Sequence, residues 1–357
     1  MTLVPFLGSS RARVLCGAAV TLALLAWALR GMSPIIVWNA MREAHLAWLG
    51  LGLIAFLTSF SMRAWRWGTL LGAHRDPGGL GIRRTAIFIG FAGNCVLPAR
   101  AGELIRARVL HCFGGVPFGT ALGSIVAERL LDTIAVLLFL LAPLLPGAVT
   151  EASRTGVSAL QLGWAGAVLV GACSAVLLAA RWPDPVVRWA GGVSRMIRLG
   201  PFTPHVVASV SGLLSGLDAL RSPRRTTTAI VETLCIWILI GITYWAGMIA
   251  FGITSPGLTG ALFVGSVAAL GIAIPSTPGY FGPFEASVRL ALEVYGIPAN
   301  TIVAYALTLH ILMNASLTAI GFVLAARLGL SWGDLAPWKP APQPPRSEDL
   351  TGPGKRH

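Results

Sequence analysis

The sequence predicts an all-α, polytopic integral membrane protein that has six full spans and two re-entrant helical hairpins in an inverted repeat. The first observation is composition: of 357 residues, 55% are hydrophobic and 11% are charged, and the mean hydropathy is +0.74. Soluble domains carry about 25% charged residues, so most of this chain is expected to lie in lipid. The other two observations are the lengths of the apolar segments and a repeat that relates the two halves of the chain.

Six apolar runs approach or exceed the roughly 17 to 25 residues that a membrane helix needs. The first run is short and follows Arg11 and Arg13, as in a signal peptide, but the repeat described below requires it, so a retained span is predicted. The six runs are residues 14–29, 46–61, 117–145, 157–180, 228–251 and 298–326.

The distribution of basic residues predicts the orientation. The net charge of +13 arises from 27 Lys and Arg against 14 acidic residues. The basic residues concentrate in alternate loops, whereas the intervening loops contain only Arg30, Arg42 and Arg154. By the positive-inside rule, both termini of this multi-pass protein are predicted to be cytoplasmic. No basic stripe with interleaved aromatic residues is present, so nucleic acid is not an expected partner.

Two segments outside the membrane are predicted from their composition. Residues 181–225 are expected to form a cytoplasmic loop with amphipathic stretches that suit an anionic membrane surface. Residues 332–357 are rich in Pro and polar residues, so this tail is expected to be disordered. The membrane transport domain is therefore assigned to residues 1–331.

Two further apolar segments, residues 87–97 and 262–274, end at a proline and are too short to span a bilayer. Such lengths favour re-entrant half-helices. Backbone that breaks at membrane depth must be covered by protein or water, so hairpins of this kind usually line a site. The residues predicted to shape the two hairpins are Pro98, Gly102, Pro275, Pro278, Gly279 and Gly282.

The two hairpins belong to a repeat with an offset of about 180 residues. Pro98 and Gly102 match Pro278 and Gly282, and a Gly-Val-Pro sequence at 115–117 matches Gly-Ile-Pro at 296–298. The halves are residues 14–145 and 157–326, and three crossings in each half turn the second upside down relative to the first. Inverted repeats with broken helices are typical of transporters. The alternative is an ancient duplication that is kept only for packing.

Ionisable residues occur where the sequence otherwise predicts lipid, and each costs about 2.5 to 3.5 kcal/mol unless it finds a partner or a water-filled cavity. Glu103 and Arg106 are three residues apart on one helical face, so they can pair. Glu128 and Asp132 share a face one turn apart and require a cation, for which Arg106 or Arg100 is the nearest candidate.

The second half repeats this pattern with fewer charges. Glu285 and Arg289 are four residues apart after the second hairpin, and His310 in the last span stands beside the repeat equivalent of Arg129. Arginine binds phosphate through a two-pronged fork, and the helix after Pro98 directs free N–H groups toward the same level, so an anionic phosphate head group is the expected ligand. The predicted substrate-binding residues are Asn94, Arg100, Glu103, Arg106, Glu128, Arg129, Asp132, Glu285, Arg289 and His310.

Three further points concern the polar residues. The charged residues can instead act as a clamp that fixes hairpin to helix. The RAWRW sequence at 63–67 is predicted to be an interfacial anchor. The five cysteines and six histidines lack the spacing of metal ligands, so no metal or other cofactor is expected.

Three motifs resemble a flippase-like membrane family that includes the transmembrane region of lysylphosphatidylglycerol synthase. They are NCVLPARAGELIRA at 94–107, AERLLD at 127–132 and PSTPGYFGPFE at 275–285. The resemblance covers nearly the whole chain and implies a lipid flippase or a transporter of lipid-linked precursors in the cytoplasmic (inner) membrane. Tyr280 departs from the family pattern because it occupies the second position of a usual glycine pair, which puts the flexibility of that hairpin in doubt. Only about thirty residues follow the last span, so the synthase activity is not implied.

These inferences predict a transporter rather than an enzyme, one that flips an anionic lipid or a lipid-linked sugar phosphate between leaflets. The expected partners are an anionic phospholipid or a polyprenyl- or hopanoid-type lipid. One alternative is an integral-membrane lipid-phosphate transferase that uses Glu103 or Asp132 as a base. Another is a non-transporting scaffold that recruits a lipid-modifying enzyme through residues 181–225.

Overall fold

The regular secondary structure of the described residues is entirely helical, as predicted. The computed structural model describes residues 10–72, 78–97, 101–140, 171, 181–196, 210–211, 214, 217, 221–274 and 277–330. The predicted span 157–180, apart from residue 171, and the tail 332–357 lie outside this part of the chain, as do Pro98, Arg100 and Pro275. The α-helices are α1 Ser10–Ala28, α2 Pro34–Glu43, α3 Leu46–Leu71, α4 Gly79–Val96, α5 Gly102–Gly114, α6 Phe118–Leu140, α7 Pro183–Met196, α8 Pro223–Ala250, α9 Gly257–Gly271, α10 Pro283–Glu293 and α11 Ala299–Arg327.

Three of the described helices, α3, α8 and α11, are long and apolar enough to cross a membrane, with 26, 28 and 29 residues. Helix α3 extends ten residues beyond the predicted run 46–61, because Arg63 and Arg66 interrupt the apolar sequence without interrupting the helix. Helix α6 has 23 residues but contains the charged residues of the AERLLD motif. The chain is therefore a helical protein with membrane-spanning segments.

Helices α4 and α5 form the first hairpin. Glycines at the contact allow the two backbones to approach, since a Cβ atom on Gly102 would overlap the carbonyl oxygen of Gly90 and lie 2.6 Å from Asn94 Oδ1. The Gly102 amide donates a 2.9 Å hydrogen bond to Asn94 Oδ1, which ties the start of α5 to the end of α4. Helix α4 begins at Gly79, eight residues before the predicted segment 87–97, because Arg83 and Arg84 end the apolar run but not the helix.

Helices α9 and α10 form the second hairpin, and a short 3-10 helix, Pro278–Tyr280, lies between them. A Cβ atom on Gly271 would overlap Ser287 Oγ, so this contact also requires glycine. Helix α10 begins at Pro283, and the Gly282 amide just before it donates a 2.7 Å hydrogen bond to Glu285 Oε2. Among the described residues, Tyr280 is the one non-glycine residue with a positive φ, 61°.

The packing of the helices places the two hairpin ends against each other. Helices α3 and α8 pack closely, and each hairpin contacts the long helix that follows the other hairpin: α4 packs on α11, and α9 packs on α6. A Cβ atom on Gly279 would lie 3.5 Å from the carbonyl oxygen of Cys95, at the end of α4. Helix α1 packs on α10, and Thr21 hydrogen-bonds Thr277.

Candidate functional site

A cavity of about 190 Å³ lies between the two hairpin ends. Aromatic side chains supply much of its wall, and polar side chains from the first hairpin and from α3, α6 and α11 reach it. The aromatic residues of the wall are Phe56, Phe60, Phe91, Trp237, Tyr244, Tyr280 and Phe284. The polar residues of the wall are Arg63, Asn94, Cys95, Glu103, Arg129, His310 and Asn314.

Glu128 is completely buried beside this cavity and forms a two-pronged ion pair with Arg106. Arg106 Nη1 and Nη2 donate to the two carboxylate oxygens of Glu128 at 3.1 and 2.8 Å. The Arg106 guanidinium also lies 4.8 Å from the centroid of the Trp67 ring, which adds a cation–π contact. Helices α3, α5 and α6 are joined at this point.

Asp132 lies one turn along α6 and accepts from two arginines of α3. Arg66 Nη1 donates to Asp132 Oδ1 at 2.7 Å, and Arg63 Nη1 donates to Oδ2 at 3.0 Å. Trp237 Nε1 from α8 donates to the same carboxylate at 3.2 Å. Arg66 is fully buried and also donates to Thr233 on α8 at 2.8 Å, so α3, α6 and α8 meet around one carboxylate.

Arg129 occupies the cavity wall, and about a third of its side chain is exposed. Its Nη2 donates to Glu128 Oε1 at 2.9 Å, and its Nε lies 3.7 Å from Glu103 Oε1. The sequence allows Glu103 to pair with Arg106, and it also names Arg106 as a candidate cation for Glu128 and Asp132. In the structure Arg106 donates to Glu128, and Arg129 is the basic neighbour of Glu103. Glu103 and Arg106 find their partners on α6 because α6 packs alongside α5 and places Glu128 and Arg129 next to them.

The arginine cluster, defined as Arg63, Arg66, Arg106 and Arg129 with their carboxylates, has an excess of positive charge. Four guanidinium groups face Glu128, Asp132 and the partly exposed Glu103. With all of these groups ionised, the cluster carries one net positive charge. The Nε atoms of all four arginines are buried without a hydrogen-bond partner among the described residues, so each retains an unused donor. Arg63 and Arg129 are the two that line the cavity.

Glu285 of the second hairpin and His310 of α11 form a second polar group. His310 Nδ1 lies 2.6 Å from Glu285 Oε1, and His310 Nε2 lies 2.8 Å from Asn314 Nδ2. Asn314 Nδ2 also donates to the Gly279 carbonyl at 2.9 Å. The imidazole packs between Phe281 and Phe284, with ring centroids at 4.6 and 4.2 Å.

The predicted site residues separate into three groups. Asn94, Glu103, Arg129 and His310 line the cavity, whereas Arg106, Glu128, Asp132 and Glu285 lie behind it and contact its lining. Arg289 is not part of either group. Its Nη1 donates to the carbonyls of Trp27, Ala28 and Arg30 at the carboxyl end of α1, and its Nε donates to Glu293.

Sequence reasoning missed the two arginines of α3. The interpretation of residues 63–67 as an interfacial anchor is wrong for Arg63, Arg66 and Trp67, which are buried, whereas Trp65 is 63% exposed. Their helical spacing was the available signal, because residues at i, i+3 and i+4 share a face. The described residues contain no group of three or more His, Cys, Asp or Glu that could hold a metal ion.

Comparison with known proteins agrees with the motifs. The family model described as "Lysylphosphatidylglycerol synthase TM region" matches residues 14–321. The glycosyltransferase AglD of Haloferax volcanii is 24% identical over 341 residues, which cover 88% of this chain and 54% of AglD. The chain thus spans about half the length of this curated relative, and no solved structure matches it. The chain belongs to the family of the lysylphosphatidylglycerol synthase transmembrane region.

Proposed function

We propose that the protein moves an anionic lipid, or a lipid-linked sugar phosphate, between the leaflets of the cytoplasmic membrane. One observation carries this proposal: the arginine cluster, with its excess positive charge, faces a cavity that lies between two hairpin ends inside a helical membrane protein. The head group passes through this cavity, and the hydrocarbon tails remain in lipid.

The chemistry of the cluster favours a phosphate. Guanidinium groups bind phosphate oxygens through paired N–H donors, and they do so most strongly where water is scarce. Arg63 and Arg129 have unpartnered Nε atoms and line the cavity, so they are the proposed head-group ligands. Arg66 and Arg106 do not line the cavity; they donate to buried carboxylates and hold α3, α5, α6 and α8 together. The clamp and the ligand site are thus two parts of one cluster.

The architecture that we propose for transport has six spans and two re-entrant hairpins in an inverted repeat, with both termini cytoplasmic. The packing supports it, because three kinds of helix contact occur in equivalent pairs. Helix α3 contacts α4 as α8 contacts α9, and α5 contacts α6 as α10 contacts α11. Helix α4 contacts α11 as α9 contacts α6. Hairpins that meet at mid-depth can expose one cavity to either leaflet in turn.

Leaflet exchange of a fluorescent phospholipid tests this function. Vesicles that contain the protein and a trace of NBD-labelled phosphatidylglycerol are treated with dithionite, which bleaches only the outer leaflet. We expect complete bleaching with the parent protein and bleaching of about half the label in protein-free vesicles. Because each ligand arginine supplies a charge-assisted hydrogen bond of about 1.5 to 3 kcal/mol, Arg63→Ala and Arg129→Ala should slow exchange roughly tenfold or more.

The matched control is Arg42→Ala, which removes an exposed arginine of α2 and should exchange lipid as the parent does. Melting temperatures in detergent show whether each variant is folded. Exchange at the parental rate by folded Arg63→Ala and Arg129→Ala variants would rule out the proposed ligands.

A lipid-phosphate transferase is the second candidate, and the name of AglD as a glycosyltransferase favours it. Asp132, one proposed base, accepts from Arg63, Arg66 and Trp237, which leaves it poorly suited to take a proton. Glu103 lines the cavity and is the stronger candidate base. Mass spectrometry of lipids after incubation distinguishes the two functions: transport leaves the head group intact, whereas transfer changes its mass.

A further inference from the structure

We propose that His310, Glu285 and Asn314 form a proton-operated latch between the two hairpin ends, so that lipid movement is coupled to proton movement in the same direction. This inference rests on the proposed lipid transport and adds its coupling ion. The latch is defined as these three side chains together with the Gly279 carbonyl.

The hydrogen bonds fix the proton positions in the latch as it stands. An asparagine amide nitrogen is a donor only, and Asn314 Nδ2 has one hydrogen for the Gly279 carbonyl and one for His310 Nε2. His310 Nε2 must then be the acceptor, so the proton of the neutral imidazole is on Nδ1 and is donated to Glu285 Oε1 at 2.6 Å. Glu285 Oε2 accepts from the Gly282 amide at 2.7 Å. All of the hydrogen bonds of the latch are therefore formed while Nε2 carries no proton.

A proton on His310 Nε2 would break this arrangement. The imidazolium has two donors, so Nε2–H can no longer accept from the Asn314 amide. The amide must turn and present Oδ1 to the imidazolium, which withdraws the Nδ2 donor from the Gly279 carbonyl. Asn314 Oδ1 now lies 3.6 Å from Cys95 Sγ on the first hairpin, so the same rotation changes the contact with both hairpin ends. One proton thus releases the end of the second hairpin.

The latch contributes the one imidazole of the described cavity wall. Arg63, Glu103 and Arg129 share the cavity, and they are in ionic contact with one another or with Glu128 and Asp132. Tyr280, Tyr244 and the Cys95 thiol are the other titratable groups of the described wall, and each is neutral when protonated. Among the described residues of this wall, the His310 imidazole is the side chain that passes from neutral to cationic when it binds a proton.

Proton and head group should bind together. A protonated His310 and an anionic phosphate attract each other across a small cavity of low dielectric constant, so each raises the affinity for the other. When one proton binds together with a monoanionic lipid, the loaded site also has the same total charge as the empty site. Co-transport of one proton with each anionic lipid follows from this arrangement.

A pH gradient across the vesicle membrane tests the coupling. Vesicles that contain the parent protein and NBD-labelled phosphatidylglycerol are held at a pH difference of about one unit, and dithionite then measures the distribution of the label. Because one pH unit is a tenfold ratio of proton activity, we expect the lipid to accumulate about tenfold in the leaflet that faces the alkaline side. Reversal of the gradient should reverse the accumulation, and a trapped pH indicator should show protons following the lipid.

Variants assign this effect to the latch. His310→Gln and Glu285→Gln should distribute the lipid equally in either gradient, whatever their rates, whereas Ser316→Ala on the same helix should keep the parental accumulation. Equal distribution by an exchanging parent overturns the coupling and leaves the transport proposal intact. A parent that exchanges no lipid overturns both. Parental accumulation in both His310→Gln and Glu285→Gln overturns the assignment to the latch.

Discussion

Arg66 shows how a single guanidinium group is held inside the helical bundle. It is fully buried and donates to Asp132 and Thr233, and its Nη2 lies 3.5 Å from Glu128. Removing such a charge from water costs several kcal/mol, and the ion pairs with good geometry largely offset this cost. Loss of one partner of a buried ion pair therefore lowers the stability of the fold strongly, because the remaining charge stays buried without an opposite charge.

Asp132 is the residue whose loss should destabilise the cluster most. Asp132→Ala removes the acceptor for Arg63, Arg66 and Trp237, so we expect a loss of about 3 to 5 kcal/mol of unfolding free energy. Arg129→Ala is the matched comparison, because that side chain is partly exposed and its removal leaves Glu128 paired with Arg106. Its cost should be about 1 kcal/mol. Denaturation in detergent, followed by circular dichroism, measures both, and equal losses would contradict the account.

Tyr280 is a second residue whose local conformation has a testable consequence. Its φ of 61° is in the left-handed region, where a non-glycine residue is strained by about 1 to 2 kcal/mol. Tyr280→Gly restores the glycine of the family pattern and should leave the protein at least as stable as the parent. Gly279→Ala, at a φ of 79°, imposes the same strain and should lower the melting temperature. A large loss of stability in Tyr280→Gly would show that the contacts of the Tyr280 side chain outweigh the backbone strain.

At the scale of the element, the hairpins depend on glycines at the helix contact. Gly102→Ala places a methyl group against the Gly90 carbonyl and should cost about 1 to 3 kcal/mol by forcing α4 and α5 apart. Gly81→Ala is the control in α4, since nothing lies within 4 Å of its Cβ position. This variant should gain about 0.5 to 1 kcal/mol from helix propensity. Melting temperatures that fall equally in both variants would refute the close contact.

Arg289 acts on a different element, because it binds three carbonyls at the end of α1. Arg289→Ala should leave these carbonyls without their donor and speed hydrogen exchange of the last turn of α1, with less effect on α11. Arg289→Lys keeps one charged donor and should recover part of the protection. Unchanged exchange in α1 after Arg289→Ala would show that the contact does not stabilise the helix end.

The sequence indicates the hairpins better than it indicates their charges. Pro and Gly in short apolar segments predict a break, and a break between two helices is present in both places. The start of α4 and the end of α3 could not be predicted from apolar runs, because charged residues that pair within the bundle continue a helix as readily as apolar ones. Which carboxylate each arginine contacts depends on the packing of α3, α5 and α6, and no local pattern encodes it.

At the scale of the whole molecule, the proposed inverted repeat predicts the side of the membrane on which both ends of each hairpin lie. Cysteines at Leu80 and Phe113, near the two outer ends of the first hairpin, should react with an impermeant maleimide from the cytoplasmic side only. Cysteines at Leu258 and Val294, in the second hairpin, should react from the opposite side only. Each is introduced into a cysteine-free background. Reaction of the two ends of one hairpin from opposite sides would show that it crosses the membrane.

The central claim, that the arginine cluster carries an anionic head group across the membrane, is tested most directly by head-group selectivity. Two NBD lipids with identical tails are compared in the same vesicles, one with the anionic phosphatidylglycerol head group and one with zwitterionic phosphatidylcholine. The cluster has a net positive charge, and each of its carboxylates already faces an arginine. We therefore predict at least about tenfold faster exchange of the anionic lipid. Equal rates for the two lipids would contradict the account.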